Sequence, residues 1–240
     1  MDFIGSAATS HGVTERRFDV KREDDLVPGI VWTPEGATGS RPLVLVGHGG
    51  SANKRTPYVL SLARRLVRHA GYAVAAIDAP HHGDRVTGSS PSIAGSAVGF
   101  REVVAAASDG MVADWTATVA ELQALEEVGE GPLGYWGVSM GTMLGVPFVA
   151  ATPAVRCAVL GLMGTFTDDD PWTVAAGAVD CPVLFLVQTD DELIPTERAL
   201  SLFRSIGAED KRLHAHPGAH SAMPPEEMEA SEALFARHLV

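Results

Sequence analysis

The stretch that decides the fold spans residues 133 to 147, Leu-Gly-Tyr-Trp-Gly-Val-Ser-Met-Gly-Thr-Met-Leu-Gly-Val-Pro. Its apolar first half predicts a short buried strand, and its second half is compatible with a helix. The centre, Gly-Val-Ser-Met-Gly at 137–141, is the pattern of a sharp turn that exposes the nucleophile Ser139. That turn demands an unusual backbone conformation and tiny residues two positions either side. Five such residues also occur by chance in ordinary Gly-Ser turns, so the rest of the chain must supply the context.

Composition indicates a single globular domain. A chain of 240 residues with 46% hydrophobic and 20% charged residues is too apolar to stay disordered. The net charge of -12 disfavours nucleic acid and anionic membrane surfaces as partners. The start of the chain has neither the basic nor the long apolar region of a signal peptide, and no apolar run reaches about 18 residues. We therefore expect a cytoplasmic protein, with Cys157 and Cys181 as buried free thiols.

The order of predicted elements indicates an α/β protein. Residues 1–14 have no periodicity and are predicted to be a flexible tail before one domain at 15–240. Two strands near 17–21 and 29–33 are joined by a short connection, so they should pair antiparallel. Strands and helices then alternate, which predicts a mostly parallel sheet with helices on both faces. Residues 84–110 contain few large apolar side chains and are predicted to form a surface excursion or lid.

Three separated stretches together resemble the α/β-hydrolase fold over residues 18 to 240. They are Gly-His-Gly-Gly at 47–50, the turn at Ser139, and Gln-Thr-Asp-Asp-Glu-Leu-Ile-Pro at 188–195 followed by His-Pro-Gly-Ala-His-Ser at 216–221. This fold carries its catalytic residues in the chain order Ser, Asp, His. Minimal cap segments and the stretch at 78–84 look closest to the dienelactone-hydrolase-like and small-esterase branch. Dienelactone hydrolases carry cysteine as the nucleophile, so Ser139 favours ordinary ester hydrolysis.

The resemblance selects the acid and the base among several neighbours. The family pattern Gly-x-x-Asp-x-x-Val-Pro, aligned on Ile194 and Pro195, selects Asp191 as the acid and leaves Asp190 as a loop or capping carboxylate. His220 follows a Pro-Gly turn after the last strand and is predicted to shuttle the Ser139 proton.

Other titratable residues receive structural interpretations. His214 and His216 are expected to pack or face solvent, and His48 to bond to the backbone. The acids at 168–170 are interpreted as a solvated loop with a helix cap. His81, His82 and Asp84 are neighbours that cannot easily aim at one ion, so no metal and no cofactor are expected.

The remaining site predictions concern the oxyanion and the substrate. The backbone N–H groups of Met140 and Gly50 should form the oxyanion hole, with Gly49 as the alternative to Gly50. A pocket with apolar and aromatic walls is predicted from residues in nearby loops; these are Phe100, Met163, Phe166, Trp172, Ile194 and Met223.

The predicted function is hydrolysis of a small carboxylic ester through an acyl-enzyme. Lactone, thioester and short-peptide cleavage use the same machinery. A lyase or cyclase without covalent catalysis, or a ligand-binding protein, is the alternative outside hydrolases. The oligomeric state, monomer or homodimer, stays open.

Overall fold

The computed structural model describes residues 1–23, 25–86 and 97–240. Nine strands in these residues form one sheet. Their bounds are β1 Asp2–Ser10, β2 Val13–Arg22, β3 Asp25–Pro34, β4 Leu43–Gly47, β5 Ala73–Ile77, β6 Leu133–Gly137, β7 Val155–Gly161, β8 Val183–Gln188 and β9 Lys211–His216.

The sheet is antiparallel at one side and parallel through its centre and far side. Its strand order is β1-β2-β3-β5-β4-β6-β7-β8-β9. β1, β2, β3 and β5 pair antiparallel, whereas every pair from β5 through β4 to β9 is parallel. The predicted mostly parallel α/β sheet is therefore confirmed, as is the antiparallel pairing of β2 with β3. The carboxyl ends of the parallel strands share one edge, where ligands bind in such sheets.

Helices cover both faces of the sheet and enclose two hydrophobic cores. Helices α1 and α7 cover one core, and α2 to α6 cover the other. Central strands bury both faces, as their continuous apolar runs predict. The helices are α1 Pro57–Ala70, α2 Ala97–Ala106, α3 Ser108–Gln123, α4 Met140–Ala151, α5 Pro171–Ala176, α6 Thr196–Ser205 and α7 Glu226–His238. In the described part of the chain, none of them combines the length and apolar character needed to cross a bilayer.

Residues 1–14 are not a flexible tail, and this prediction is wrong. They form β1 and the start of β2, which pair antiparallel. The side chains of β1 are almost all exposed, so the strand lacks the alternation by which sequence reveals strands. Side-chain contacts add to this pairing: the amino group of Met1, next to β1, lies 3.1 Å from the Glu121 carboxylate, and the Arg16 guanidinium lies 3.3 Å from the Phe3 ring centroid.

The predicted excursion at 84–110 lies partly outside the described residues, at 87–96. Its described part contains the end of a short 3-10 helix at Gly83–Arg85, then α2, and then the start of α3. Val104 of α2 is buried in the core, and Phe100 packs half-buried against it. This part is therefore a packed helix, and action of the segment as a lid stays a prediction.

Candidate active site

Ser139 sits in a strained turn between β6 and α4. Its backbone adopts φ 58° and ψ -123°, a conformation that non-glycine residues rarely occupy. The Ser139 N–H donates to the Gly161 carbonyl at 2.9 Å. The Thr142 hydroxyl lies 2.9 Å and 2.7 Å from the Gly137 and Gly161 carbonyls, so it ties the turn to β7. Together, these hydrogen bonds hold Ser139 in its strained backbone conformation.

The two glycines that flank the turn are required by close backbone contacts. A Cβ atom on Gly137 would lie 2.7 Å from the Gly141 carbonyl oxygen, and one on Gly141 would lie 2.8 Å from the Gly47 carbonyl oxygen. Real Cβ contacts are essentially never so short. The spacing of glycines in the sequence therefore has the steric cause that the pattern predicts.

Ser139, His220 and Asp191 form one chain of hydrogen bonds. The Ser139 Oγ atom lies 2.9 Å from His220 Nε2, and His220 Nδ1 lies 2.7 Å from Asp191 Oδ2. The carboxylate only accepts, so Nδ1 carries the proton and Nε2 is free to accept from the serine hydroxyl. The other Asp191 oxygen accepts the N–H groups of Leu193 and Ile194, both at 2.8 Å. The acid is thereby fixed, with its side chain only 2% exposed.

Three consecutive acids have three separate roles around the His220 loop. Asp190 accepts the Gly218 N–H at 2.9 Å, which agrees with its prediction as a loop carboxylate. Asp191 contacts the His220 ring, and Glu192 accepts the His220 backbone N–H at 2.9 Å. This last bond holds the pKa of Glu192 below its usual range. Sequence analysis missed Glu192, although its place in an acidic run opposite the histidine loop was the available signal.

The loop after β4 is held by two side chains that the sequence analysis did not single out for this task. The Gly49 N–H donates to the Tyr58 hydroxyl at 2.7 Å. His82 Nε2 lies 2.9 Å from the Gly50 carbonyl oxygen. The first contact fixes the peptide group that carries the Gly49 N–H, and the second fixes the peptide group that follows Gly50.

His48 supports the same loop from inside the protein. Its Nε2 accepts the Ala79 N–H at 3.0 Å, and its Nδ1 lies 2.9 Å from the Gly49 carbonyl oxygen. The ring is therefore a neutral tautomer with the proton on Nδ1. Burial lowers the pKa of His48 to about 4. These contacts agree with the predicted backbone-bonding role.

A buried ion cluster anchors the far end of this loop. The Lys54 ammonium, 1% exposed, contacts the buried Asp78 carboxylate and lies 2.8 Å from Asp84. Arg55 adds a second cation at 2.9 Å from Asp84. Hydrogen bonds from Arg55 and Lys54 lower the pKa of Asp84 to about 2. Asp84, weighed above as a metal ligand, is thus engaged by Lys54 and Arg55, and the Arg17 guanidinium lies 3.6 Å away.

Trp172 is a core residue, which corrects its assignment to the substrate pocket. Its side chain has no exposed surface, and its indole N–H donates to the Gly164 carbonyl at 3.1 Å. Met163 and Ile194 are also almost completely buried. Trp172 lies in α5 and fills the core rather than lining a pocket.

The other predicted pocket residues lie in different environments. Phe166 is half-buried beside two guanidinium groups, those of Arg101 and Arg198, at 5.4 and 4.6 Å from the ring centroid. Phe100 packs against the same core, whereas Met223 packs against the core on the opposite face of the sheet. Their contact with a substrate stays a prediction.

Comparison with solved structures identifies the family. No protein-family model and no curated protein matches the chain. A polyethylene-glycol-bound cold-adapted esterase from an Arctic intertidal metagenomic library is 34% identical, with TM-score 0.87 and full coverage of both chains. A zinc-bound structure with the same description is 33% identical, with TM-score 0.83 and full coverage of both chains. Dienelactone hydrolase from Anabaena variabilis is 20% identical, with TM-score 0.70. The comparison covers 96% of this chain and 100% of that chain, and at this identity it supports the fold alone.

The chain belongs to the α/β-hydrolase superfamily and to its esterases, and it is a carboxylic ester hydrolase.

Proposed function

We propose that Ser139 is the nucleophile that cleaves a small carboxylic ester through an acyl-enzyme intermediate. The observation that carries the proposal is the hydrogen-bonded chain from Ser139 through His220 to Asp191. Ser139 Oγ attacks the ester carbonyl carbon while His220 Nε2 takes the hydroxyl proton. As the acyl–oxygen bond breaks, the imidazolium returns that proton to the leaving alkoxide, and an alcohol departs.

The second half of the reaction regenerates the serine. His220 removes a proton from a water molecule, which attacks the acyl carbon and displaces Ser139 Oγ. The serine oxygen recovers the proton, and a carboxylic acid leaves. Asp191 holds the ring in the required tautomer and stabilises the imidazolium that forms in both halves. Its near-complete burial and two backbone N–H donors keep this carboxylate in position.

The oxyanion is bound by the backbone N–H groups of Met140 and Gly50. Met140 is the first residue of α4, where the N–H groups and the helix dipole favour negative charge. Gly50 is preferred to Gly49, because the Gly49 N–H already donates to Tyr58. One such donor contributes about 3–4 kcal/mol to transition-state stabilisation.

The substrate class is a small-molecule ester. The relatives that share a third of their residues with this chain are described as esterases, which supports ester cleavage here. Serine at the nucleophile position favours ordinary esters over dienelactones.

The proposal is tested with Ser139→Ala and p-nitrophenyl esters of increasing acyl length. We expect kcat/KM to fall more than about a thousandfold, because the acyl-enzyme cannot form. Ser221→Ala is the matched control, since this exposed serine is adjacent to His220 and should retain full activity. Far-UV circular dichroism checks that both variants fold. Residual activity above about a thousandth of wild type in Ser139→Ala would refute the covalent mechanism.

A further inference from the structure

A second histidine–carboxylate cluster lies at the edge of the sheet, between β9 and α7. His214 and His216 are two residues apart on β9, so their side chains point to the same face. Glu227 lies in the first turn of α7, and it is 2% exposed. His214 Nδ1 lies 2.9 Å from one Glu227 oxygen and 3.1 Å from the other. His216 Nε2 contacts the nearer oxygen as well.

The donor atoms of this cluster converge on one point. One nitrogen from each ring and one Glu227 oxygen all lie within 4.8 Å of one another. Tetrahedral zinc, with bonds of about 2.0–2.2 Å to nitrogen and oxygen, needs ligand atoms roughly 3.3–3.5 Å apart. The two imidazole planes are inclined by 80°, so the rings approach from different directions. Among the described residues, no other set of three histidine, cysteine or acidic side chains converges in this way.

A buried glutamine beside the cluster is a second, independent feature that points to a ligand here. Gln188 of β8 is paired in register with His216 of β9, so the two side chains are neighbours on one face. Gln188 is 2% exposed, and neither its amide oxygen nor its amide nitrogen has a hydrogen-bond partner in the described part of the chain. A buried amide without a partner destabilises the folded protein. A metal ion with its bound water would provide that partner.

We propose that His214, His216 and Glu227 bind one zinc-class divalent transition-metal ion, with water at the fourth position near Gln188. Two imidazoles and a carboxylate suit zinc and its neighbours, whereas magnesium and calcium prefer oxygen ligands alone. The His214 and His216 side chains are 40% and 33% exposed, which gives the ion a path from solvent. The net charge of -12 favours cation binding.

The site stabilises the strand end that leads to the catalytic histidine. The His216 carbonyl accepts the Thr189 N–H at 2.8 Å, which ties the end of β9 to the loop that carries Asp191. His220 follows His216 by four residues. An ion that joins β9 to α7 therefore restrains the base of this loop without contacting the triad. Because it binds the folded chain, it raises the melting temperature.

The test is calorimetric titration of the full chain, stripped with a chelator and dialysed, with zinc chloride. We expect one ion per chain, and at least tenfold weaker binding in His214→Ala and in His216→Ala. His69→Ala is the matched control, because His69 pairs with Glu232 without a second histidine, and it should bind within twofold of wild type. Zinc should raise the melting temperature of wild type and of His69→Ala, but not that of the two β9 variants.

Four results would overturn the proposal. They are no saturable zinc binding in wild type, unchanged affinity in both β9 variants, magnesium binding as tight as zinc, and loss of binding in His220→Ala alone. Glu227→Gln gives a second check from the helix side if circular dichroism shows that it folds; it too should bind at least tenfold more weakly.

Discussion

Two histidine–carboxylate clusters lie within a few residues of each other on β9 and the loop after it, yet their geometries differ. In the first, the two ring nitrogens of His220 contact different partners, Asp191 on one side and Ser139 on the other. In the second, His214 and His216 face a single carboxylate, that of Glu227. The first arrangement is linear and the second converges.

The difference suits the first cluster to the proton transfer, and the second to the cation binding, that we propose for them. A linear chain leaves one nitrogen of His220 free to accept and later donate a proton, while Asp191 fixes the other. In the convergent set, a nitrogen of each ring faces the same Glu227 carboxylate. Residue types alone do not distinguish the two clusters, because both contain histidine and a buried carboxylate. The two clusters are distinguished by the groups that each histidine nitrogen faces.

The largest expected contrast is between the histidines themselves. His220→Ala should lower kcat/KM by about 10⁴-fold or more, because His220 is the group placed to take the Ser139 proton. His214→Ala, His216→Ala and chelator-treated wild type should keep the rate within about twofold. Activity lost in His216→Ala and kept in His220→Ala would move the general base to the second cluster.

The next contrast is between the two adjacent aspartates. Asp191→Asn should lower kcat by about 10³–10⁴-fold, because an amide can hold the wrong tautomer of His220. Asp190→Asn should cost far less, since Asp190 accepts the Gly218 N–H instead of contacting the His220 ring. Steady-state kinetics of both variants on one nitrophenyl ester measures the difference. Equal losses would show that the acid is not Asp191 alone.

A third histidine provides the smallest contrast, in stability rather than rate. His48 is neutral in the folded protein, and burial lowers its pKa to about 4. In the unfolded chain, His48 becomes protonated below about pH 6.5. In the folded chain, it becomes protonated only near pH 4. The His48 contribution is therefore complete above pH 6.5 and lost on acidification; at about 1.4 kcal/mol per pKa unit, it amounts to roughly 3 kcal/mol.

This contribution is measured by urea unfolding at pH 7, 5.5 and 4. His48→Gln keeps an N–H donor and an acceptor but does not titrate, so its unfolding free energy should fall less steeply with acidification than that of wild type. Parallel curves for the two proteins would show that burial of His48 is not linked to stability.

The sequence predicted the parts of the site that depend on local pattern. The turn at Ser139 was predictable because its glycines face steric contacts that any residue with a side chain would violate. Asp191 could be chosen over Asp190 because its distance from Ile194 and Pro195 follows the family pattern, and the structure places it against His220. Catalysis by these residues, the cytoplasmic location and the organisation of the chain as a single domain stay predictions.

The parts that the sequence did not predict depend on contacts between distant segments. β1 carries no apolar face, so its pairing with β2 leaves no trace in hydrophobic periodicity. The cluster on β9 depends on the buried position of Glu227 in α7. Glu227 is one of several glutamates in the same turn, so the sequence does not indicate which of them is buried. Trp172 was wrongly assigned to the substrate pocket, because an apolar residue type fits both a core position and a pocket wall. The structure shows that it is buried.

The central claim, covalent catalysis by Ser139, is tested most directly by labelling with an organophosphonate. Intact-mass spectrometry and peptide mapping of the wild type should show one label per chain, located on Ser139. Esterase activity should disappear in proportion to labelling, and Ser139→Ala should take up none. A label on any other residue, or full activity in a chain labelled at Ser139, would contradict the account.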